Sequence, residues 1–191
     1  MPLKGYFVLS LALISAASDL MSGRIRNSIC AAGLAAGFIL LPALACLPSG
    51  EPGRWQRFFT SERSALFGAL LPFLPGFLLF HFRMIGAGDV KLLTAIGAVA
   101  GADAMPAYLL MTIVFSALLA VPFMLFVSGV RPRMKVFLRY LAAVLSSRRA
   151  LPYRTFCAQA EGEARDTQAS YEFHFAIPVF MTAILYAGGL L

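Results

Sequence analysis

Residues 84–100 read Met-Ile-Gly-Ala-Gly-Asp-Val-Lys-Leu-Leu-Thr-Ala-Ile-Gly-Ala-Val-Ala. Apolar residues dominate from position 90, but the run stops at 100, where Gly101 follows. Crossing a bilayer as a helix takes roughly 20 consecutive apolar residues. The run falls short of that unless the turn at 86–91 already lies at membrane depth. Irregular backbone is stable there only when it is buried in protein or lines a wet cavity. The stretch therefore predicts a short membrane helix with a cavity around Asp89. An ionisable side chain in such a place is costly to keep, which makes it a candidate functional group whose partner has to be found.

The candidate partner is Asp19, which ends the first apolar segment. Two carboxylates that converge can share one proton, keep one acid neutral and activate a water against an amide.

The whole chain supports a membrane setting. Its 191 residues are 60% hydrophobic and 13% charged, with mean hydropathy +0.79. A soluble domain is about half apolar and about a quarter charged. That composition excludes a soluble globular enzyme and leaves no stretch large enough for a separate soluble domain. Six apolar segments are read at 3–18, 28–47, 64–82, 90–100, 106–128 and 173–191. The second, third, fifth and sixth are long enough to span. The first becomes so when Asp19 and its neighbours are included. The expected fold is an all-α integral membrane protein, a single polytopic domain over 1–191. It has about six transmembrane helices, the fourth of them short.

Basic residues orient it. Twelve of the sixteen, among them Arg24, Arg26, Arg83, Lys91 and a cluster from Arg131 to Arg165, fall in the loops after segments one, three and five. Lys4, Arg54, Arg57 and Arg63 fall on the other side. The positive-inside rule then places both aspartates on the cytoplasmic side and both termini outside. The loop at 130–172 is expected to be cytoplasmic. Within 134–145 it sets Phe137, Tyr140, Leu141 and Val144 on one helical face and Lys135 and Arg139 on another, the pattern of an interfacial amphipathic helix. The net charge of +7 fits attraction to anionic lipid headgroups rather than to nucleic acid.

Other readings are closed by spacing. Cys30, Cys46 and Cys157 form no C-x-x-C, so no zinc knuckle or redox pair is indicated. His81 and His174 flank apolar segments without further ligands at metal spacing, and no metal or other cofactor is expected. Ala16-Ala17-Ser18 resembles a signal-peptide cleavage site. Five further apolar segments make a retained helix the better reading. Leu44-Ala45-Cys46 looks like a lipoprotein processing site but ends a second span.

Gly86-Ala87-Gly88-Asp89 is a G-x-G-D string. Glycine permits unusual backbone angles and the close approach of another chain. In isolation the string reads equally as a helix start capped by aspartate. Asp19 reads equally as a cap or as a partner of Arg24 or Arg26. What favours chemistry is that both acids fall on one membrane border.

Ser18-Asp19-Leu20, Arg24-Ile25-Arg26-Asn27 and the Gly-Ala-Gly-Asp-Val-Lys-Leu-Leu of 86–93 together resemble the type IV prepilin peptidases, GxGD-type aspartic proteases of the bacterial inner membrane. The resemblance runs from the first segment through Gly101, and more weakly to Ala176-Ile177-Pro178. It implies Asp19 and Asp89 as the catalytic pair, with no cofactor. The implied substrate is a prepilin with a basic leader and an apolar helix, cut at the cytoplasmic membrane border. Gly86 and Gly88 are expected to let an extended substrate backbone come close. Lys91 is expected at lipid headgroups, with electrostatic tuning of the pair as its other reading. Asn27 is expected to orient the loop or Asp19.

Two departures stand out. The family usually has Ile-Pro-Asn where this chain has Ile25-Arg26-Asn27. The C-x-x-C motifs of bifunctional members, which also carry an N-methyltransferase activity, are missing. The chain is similar to the short, peptidase-only form found with tight-adherence (Flp/Tad) pili. Two other classes remain open: a non-catalytic membrane subunit of a pilus or secretion assembly, and a small proton-coupled transporter. The sequence shows no inverted repeat to favour the transporter. The individual prepilin, the acid and base assignment and the oligomeric state are not legible.

Overall fold

The computed structural model of the chain describes residues 2–46, 53–126, 139, 142 and 175–191. Every regular element among them is helical. Helix α1 is Pro2–Ser22. Helix α2, Asn27–Ala35, continues through a π-helical turn, Ala36–Leu40, into α3, Leu41–Ala45. Then follow α4, Arg54–His81, α5, Ala87–Ala100, α6, Met105–Phe126, and α7, Ala176–Ala187.

Among the described residues, four stretches are long and apolar enough to cross a membrane: Leu3–Ser22, Asn27–Ala45, Trp55–His81 and Met105–Pro122. This is an all-α, multi-pass membrane architecture. Helix α5 has 14 residues and α7 has 12. At about 1.5 Å per residue they extend roughly 21 and 18 Å, against about 30 Å of hydrocarbon. The short α5 matches its apolar run. The short α7 corrects the expectation of a full-length sixth span. Two glycines stop it: Gly189 sits at φ +74°, and the N–H groups of Leu190 and Gly189 turn back to the carbonyls of Leu185 and Tyr186. That is a Schellman cap, and it ends a helix whatever the hydropathy of the residues.

The third segment is also corrected. Its apolar run begins at 64, but α4 begins at Arg54. Hydropathy marks the part of a helix in lipid, not the polar turns that extend beyond it. At its other end α4 closes on a second Schellman cap, with Arg83 in the left-handed region at φ 57°. The expected amphipathic helix at 134–145 lies outside the described residues, apart from Arg139 and Ala142, both helical and exposed. His174 and Cys157 lie outside them as well.

Helix α5 is the hub. From Leu92 to Ala100 every residue is buried except Thr94, and the helix packs on α1, α2, the π-turn and α4. A helix apolar all round belongs in an interior. Helices α4 and α5 run antiparallel and meet through glycines. Gly68 faces Gly97, and Gly76 faces Val90. Pro72 lacks an N–H, so the Gly68 carbonyl loses its usual donor four residues on. That carbonyl is aimed at Gly97, where a Cβ would collide with it. Glycine offers a Cα–H there instead, and small residues are what let membrane helices approach this closely.

Helix α2 runs parallel to α5. Gly33 faces Ala95 and Gly37 faces Ala98, so both helices begin at the same end of the bundle. Helix α7 packs on α1 and α6. The Tyr108 hydroxyl donates to the Val179 carbonyl at 2.8 Å, and Thr112 meets Thr182 at 3.2 Å. Buried hydroxyls with partners hold membrane helices in register. The outer faces of α4 and α6 carry Phe67, Leu74, Phe77, Ile113 and Leu118, all exposed, as a lipid-facing surface requires.

Candidate active site

The end of the bundle where α2 and α5 begin is also where α1 and α4 finish. Helix α1 ends at a left-handed Gly23 (φ 60°), whose N–H bonds the Asp19 carbonyl at 2.7 Å. This glycine cap fixes Asp19 one turn before the chain reverses. The Ser22 hydroxyl donates to the Ser18 carbonyl at 2.6 Å, and the Ser18 hydroxyl to the Arg24 carbonyl at 3.1 Å. Both bonds fold the turn back on the end of α1. Arg26 then leads into α2 with φ −69° and ψ 133°.

Asp89 is the third residue of α5, not its cap. Gly86 is the residue that caps α5. The backbone N–H of Gly86 donates to the Asp89 carboxylate. This is the returning half of a capping box, in which an acid one turn into the helix satisfies the N–H of the capping residue. The end of α1 and the start of α5 set Asp19 and Asp89 within electrostatic reach of each other. Both side chains are half-buried.

The glycines of the string have a different part from the one expected of their backbone angles. Gly86 adopts ordinary extended backbone, φ −71° and ψ 145°. Among the described residues the glycines at positive φ are Gly23, Gly53, Gly101 and Gly189, so neither Gly86 nor Gly88 needs to be glycine for its φ. What Gly86 provides is room: a Cβ there would lie 3.2 Å from Asp89 Oδ2. A Cβ on Gly88 would make an ordinary 3.5 Å contact with Ile25.

Lys91 and Asn27, singled out separately, meet. Lys91 Nζ donates to Asn27 Oδ1 at 3.1 Å. The bond joins the first turn of α2 to the first turn of α5. It holds the Asn27 end of the path that leads from Asp19 through the turn against the helix that carries Asp89. Lys91, expected at headgroups or as a tuner of the pair, has its Nζ on Asn27 here. Nothing local in sequence foretells a contact across 64 positions.

Among the described residues, no three His, Cys, Asp or Glu side chains group as metal ligands. His81 is exposed and packs edge-on against Phe82, 5.8 Å between ring centres. A cavity of about 820 Å³, with Lys4, Arg57, Ser64 and Asp103 in its wall, lies at the opposite end of the bundle.

The model of the type IV leader peptidase family matches residues 6–124. The chain belongs to that family. The match runs from α1 to α6 and takes in both aspartates, Asn27 and Lys91. No curated protein and no solved structure matches the chain. Family membership gives the chain a leader-peptidase-like function within a multi-pass membrane fold.

Proposed function

We propose that this chain is a membrane-embedded aspartic endopeptidase that removes the leader peptide from type IV, Flp-like prepilins. Asp19 and Asp89 are its catalytic pair. The observation that carries this reading is the approach of Asp19 to Asp89 from the end of one helix and the start of another. An acid pair at the border of a membrane domain fits cleavage of a bond held at that border. The basic loops on the same side favour a site facing the cytoplasm of a bacterial inner membrane. The whole of 1–191 then works as one polytopic peptidase domain.

The chemistry follows from the pair. In this reading one acid works ionised and the other protonated, a division of labour open to a pair of carboxylates. The ionised acid takes a proton from water as the water oxygen attacks the scissile carbonyl carbon. The protonated acid hydrogen-bonds the carbonyl oxygen as charge builds there. The tetrahedral intermediate then expels the amine, which receives the abstracted proton, and the C–N bond breaks. The substrate supplies a basic leader on the cytoplasmic side and an apolar helix in lipid. Gly86 keeps space open beside Asp89, Gly88 adds little bulk next to it, and the Lys91–Asn27 bond positions the turn that follows Asp19.

The test is co-expression with a candidate prepilin from the same genome, following the mass of the pilin. Wild type, Asp19→Asn and Asp89→Asn are compared after equal accumulation in the membrane is established. Cleavage by wild type alone is expected. Cleavage that survives in either variant removes that acid from the mechanism. No cleavage by wild type across several prepilins moves the weight to a non-catalytic subunit.

A further inference from the structure

Helices α1 and α2 are consecutive and joined by a short turn, yet they pack mainly on other helices, α1 on α7 and α5, α2 on α5. Between them lies an almost wholly apolar groove of about 600 Å³. Its α1 wall includes Phe7 and Ile14, its α2 wall Ala32, Ala36 and Ile39, and its floor Val99 of α5. We propose that this groove seats the apolar helix of the substrate, with the helix's first residues delivered to the acid pair. The proposal rests on the peptidase reading above and names where that substrate docks.

Three observations commit the groove to a helix. The first is its wall. Ala32, Gly33, Ala35, Ala36 and Ala43 make most of the α2–α3 side, with Ile39 and Leu40 as the long side chains among them. In lipid, apolar surface alone gives little drive for association, and small residues that admit a second backbone supply it through packing. The second is the π-turn Ala36–Leu40, which forms part of that wall. Such turns widen a helix locally and are frequent at functional sites. The third is the groove's place on the two helices that lead to the acid pair. Ile14 precedes Asp19 by five residues, and Ala32 follows Asn27 by five. Along a helix that is an axial rise of about 7–8 Å. The near end of the groove thus lies toward the end of the bundle that holds the two acids.

The dimensions and direction agree. From Ala32 to Ala43 the wall rises roughly 16 Å, about three turns of a bound helix. A helix lying parallel to α2 has its N-terminal end at the acid pair. That is the end at which a leader is joined to an apolar helix. Ile39 and Ile14 are 69% and 54% exposed, so both stand open to an incoming partner.

The experiment places a photo-crosslinking amino acid at Ile39, and in a separate variant at Leu118 on the lipid face of α6. Each full-length protein is co-expressed with the prepilin used for cleavage. The Asp89→Asn background serves to trap uncut substrate, and unmodified wild type is assayed for cleavage in parallel. The expected result is a prepilin adduct from Ile39 at least about tenfold stronger than from Leu118, mapped by mass spectrometry to the prepilin's apolar helix. A filling variant, Ala32→Trp, is expected to lower cleavage by about tenfold or more, on the scale of one lost packed side chain.

Cleavage by wild type with no adduct from Ile39 overturns the groove and leaves the peptidase reading standing. An adduct at Ile39 from a prepilin that wild type never cuts overturns the peptidase reading and leaves the groove. Adducts from Ile39 to lipid alone or to another part of this chain overturn it, as do equal yields from Ile39 and Leu118.

Discussion

The two halves of α5 are built on different principles. From Leu92 onward the helix is buried and meets α4 glycine against glycine, with the Gly68 carbonyl set against Gly97. Its first turn, from Ala87, has one buried residue, Val90, and a row of polar contacts. Gly86 N–H bonds Asp89, Asp19 stands near Asp89, and Lys91 holds Asn27. At Gly97 the buried half has no room for a single added carbon. The other half tolerates change of shape but depends on the identity of each polar group. One helix is therefore a scaffold at one end and a reagent at the other, and the two should fail in different ways.

The largest effect is expected in the scaffold. In Gly97→Leu a side chain has to enter where even a Cβ meets the Gly68 backbone. Ordinary overpacking costs about 1–3 kcal/mol because neighbours yield. A backbone carbonyl cannot yield without moving α4 as a whole. The expected outcome is little folded protein in the membrane fraction, with activity lost in proportion, and a partial defect for Gly97→Ala. Normal accumulation and thermal stability of Gly97→Leu in detergent would show that α4 and α5 do not pack in this way.

At the other end the prediction reverses. Asp89→Asn and Asp19→Asn keep shape and nearly all contacts, so accumulation and unfolding temperature are expected to stay close to wild type. Prepilin cleavage is expected to fall on the order of 10²–10⁴-fold, the range typical of a lost acid–base group. A large stability loss in either variant would assign that aspartate a structural part instead, and would blur the contrast between the halves of α5.

The Lys91–Asn27 bond sits between these extremes. Both residues are exposed, so breaking the bond is expected to change stability by under about 1 kcal/mol. Its expected effect is on position: Lys91→Ala lowers kcat about tenfold or more with KM little changed, since small displacements at a reacting centre are costly. Lys91→Arg, which still donates to Asn27 Oδ1, is expected to recover most of the rate. Equal loss in both variants would point to the lysine charge rather than to the bond. Steady-state kinetics on a detergent-solubilised prepilin decide between them.

What was legible in the sequence follows the same division. Hydropathy gave the all-helical membrane architecture, the short α5 and the side shared by Asp19 and Asp89, because each depends on local composition and charge. It misplaced the start of α4 and the end of α7. The polar turns 54–63 are helical without being apolar, and Gly188-Gly189 halts α7 inside an apolar run. It did not reach the π-turn at 36–40, the Gly68–Gly97 contact, the Lys91–Asn27 bond or the groove between α1 and α2. These depend on how whole helices lie against one another and not on local composition. One signal was present: Pro72 four residues after Gly68 frees a carbonyl, and a freed carbonyl in lipid requires a close neighbour.

The smallest effect concerns the turn that joins Asp19 to α2. Arg26 stands where the family usually has proline, yet its φ of −69° lies within the range that a proline ring enforces. The chain therefore adopts the proline-like backbone without the ring. The Ser18 hydroxyl, bonded to the Arg24 carbonyl, and the Lys91–Asn27 bond hold the turn from its two ends. Arg26→Pro is then expected to raise stability by about 0.4–1 kcal/mol, by narrowing the unfolded ensemble, and to leave cleavage unchanged. Thermal unfolding in detergent and the cleavage assay read the two halves of that statement. A fall in stability would mean that the Arg26 side chain or N–H contributes more than the fixed backbone. A gain in stability with a loss of cleavage would mean that the turn has to move during the reaction, and the polar end of α5 would then depend on flexibility as well as on the identity of its groups.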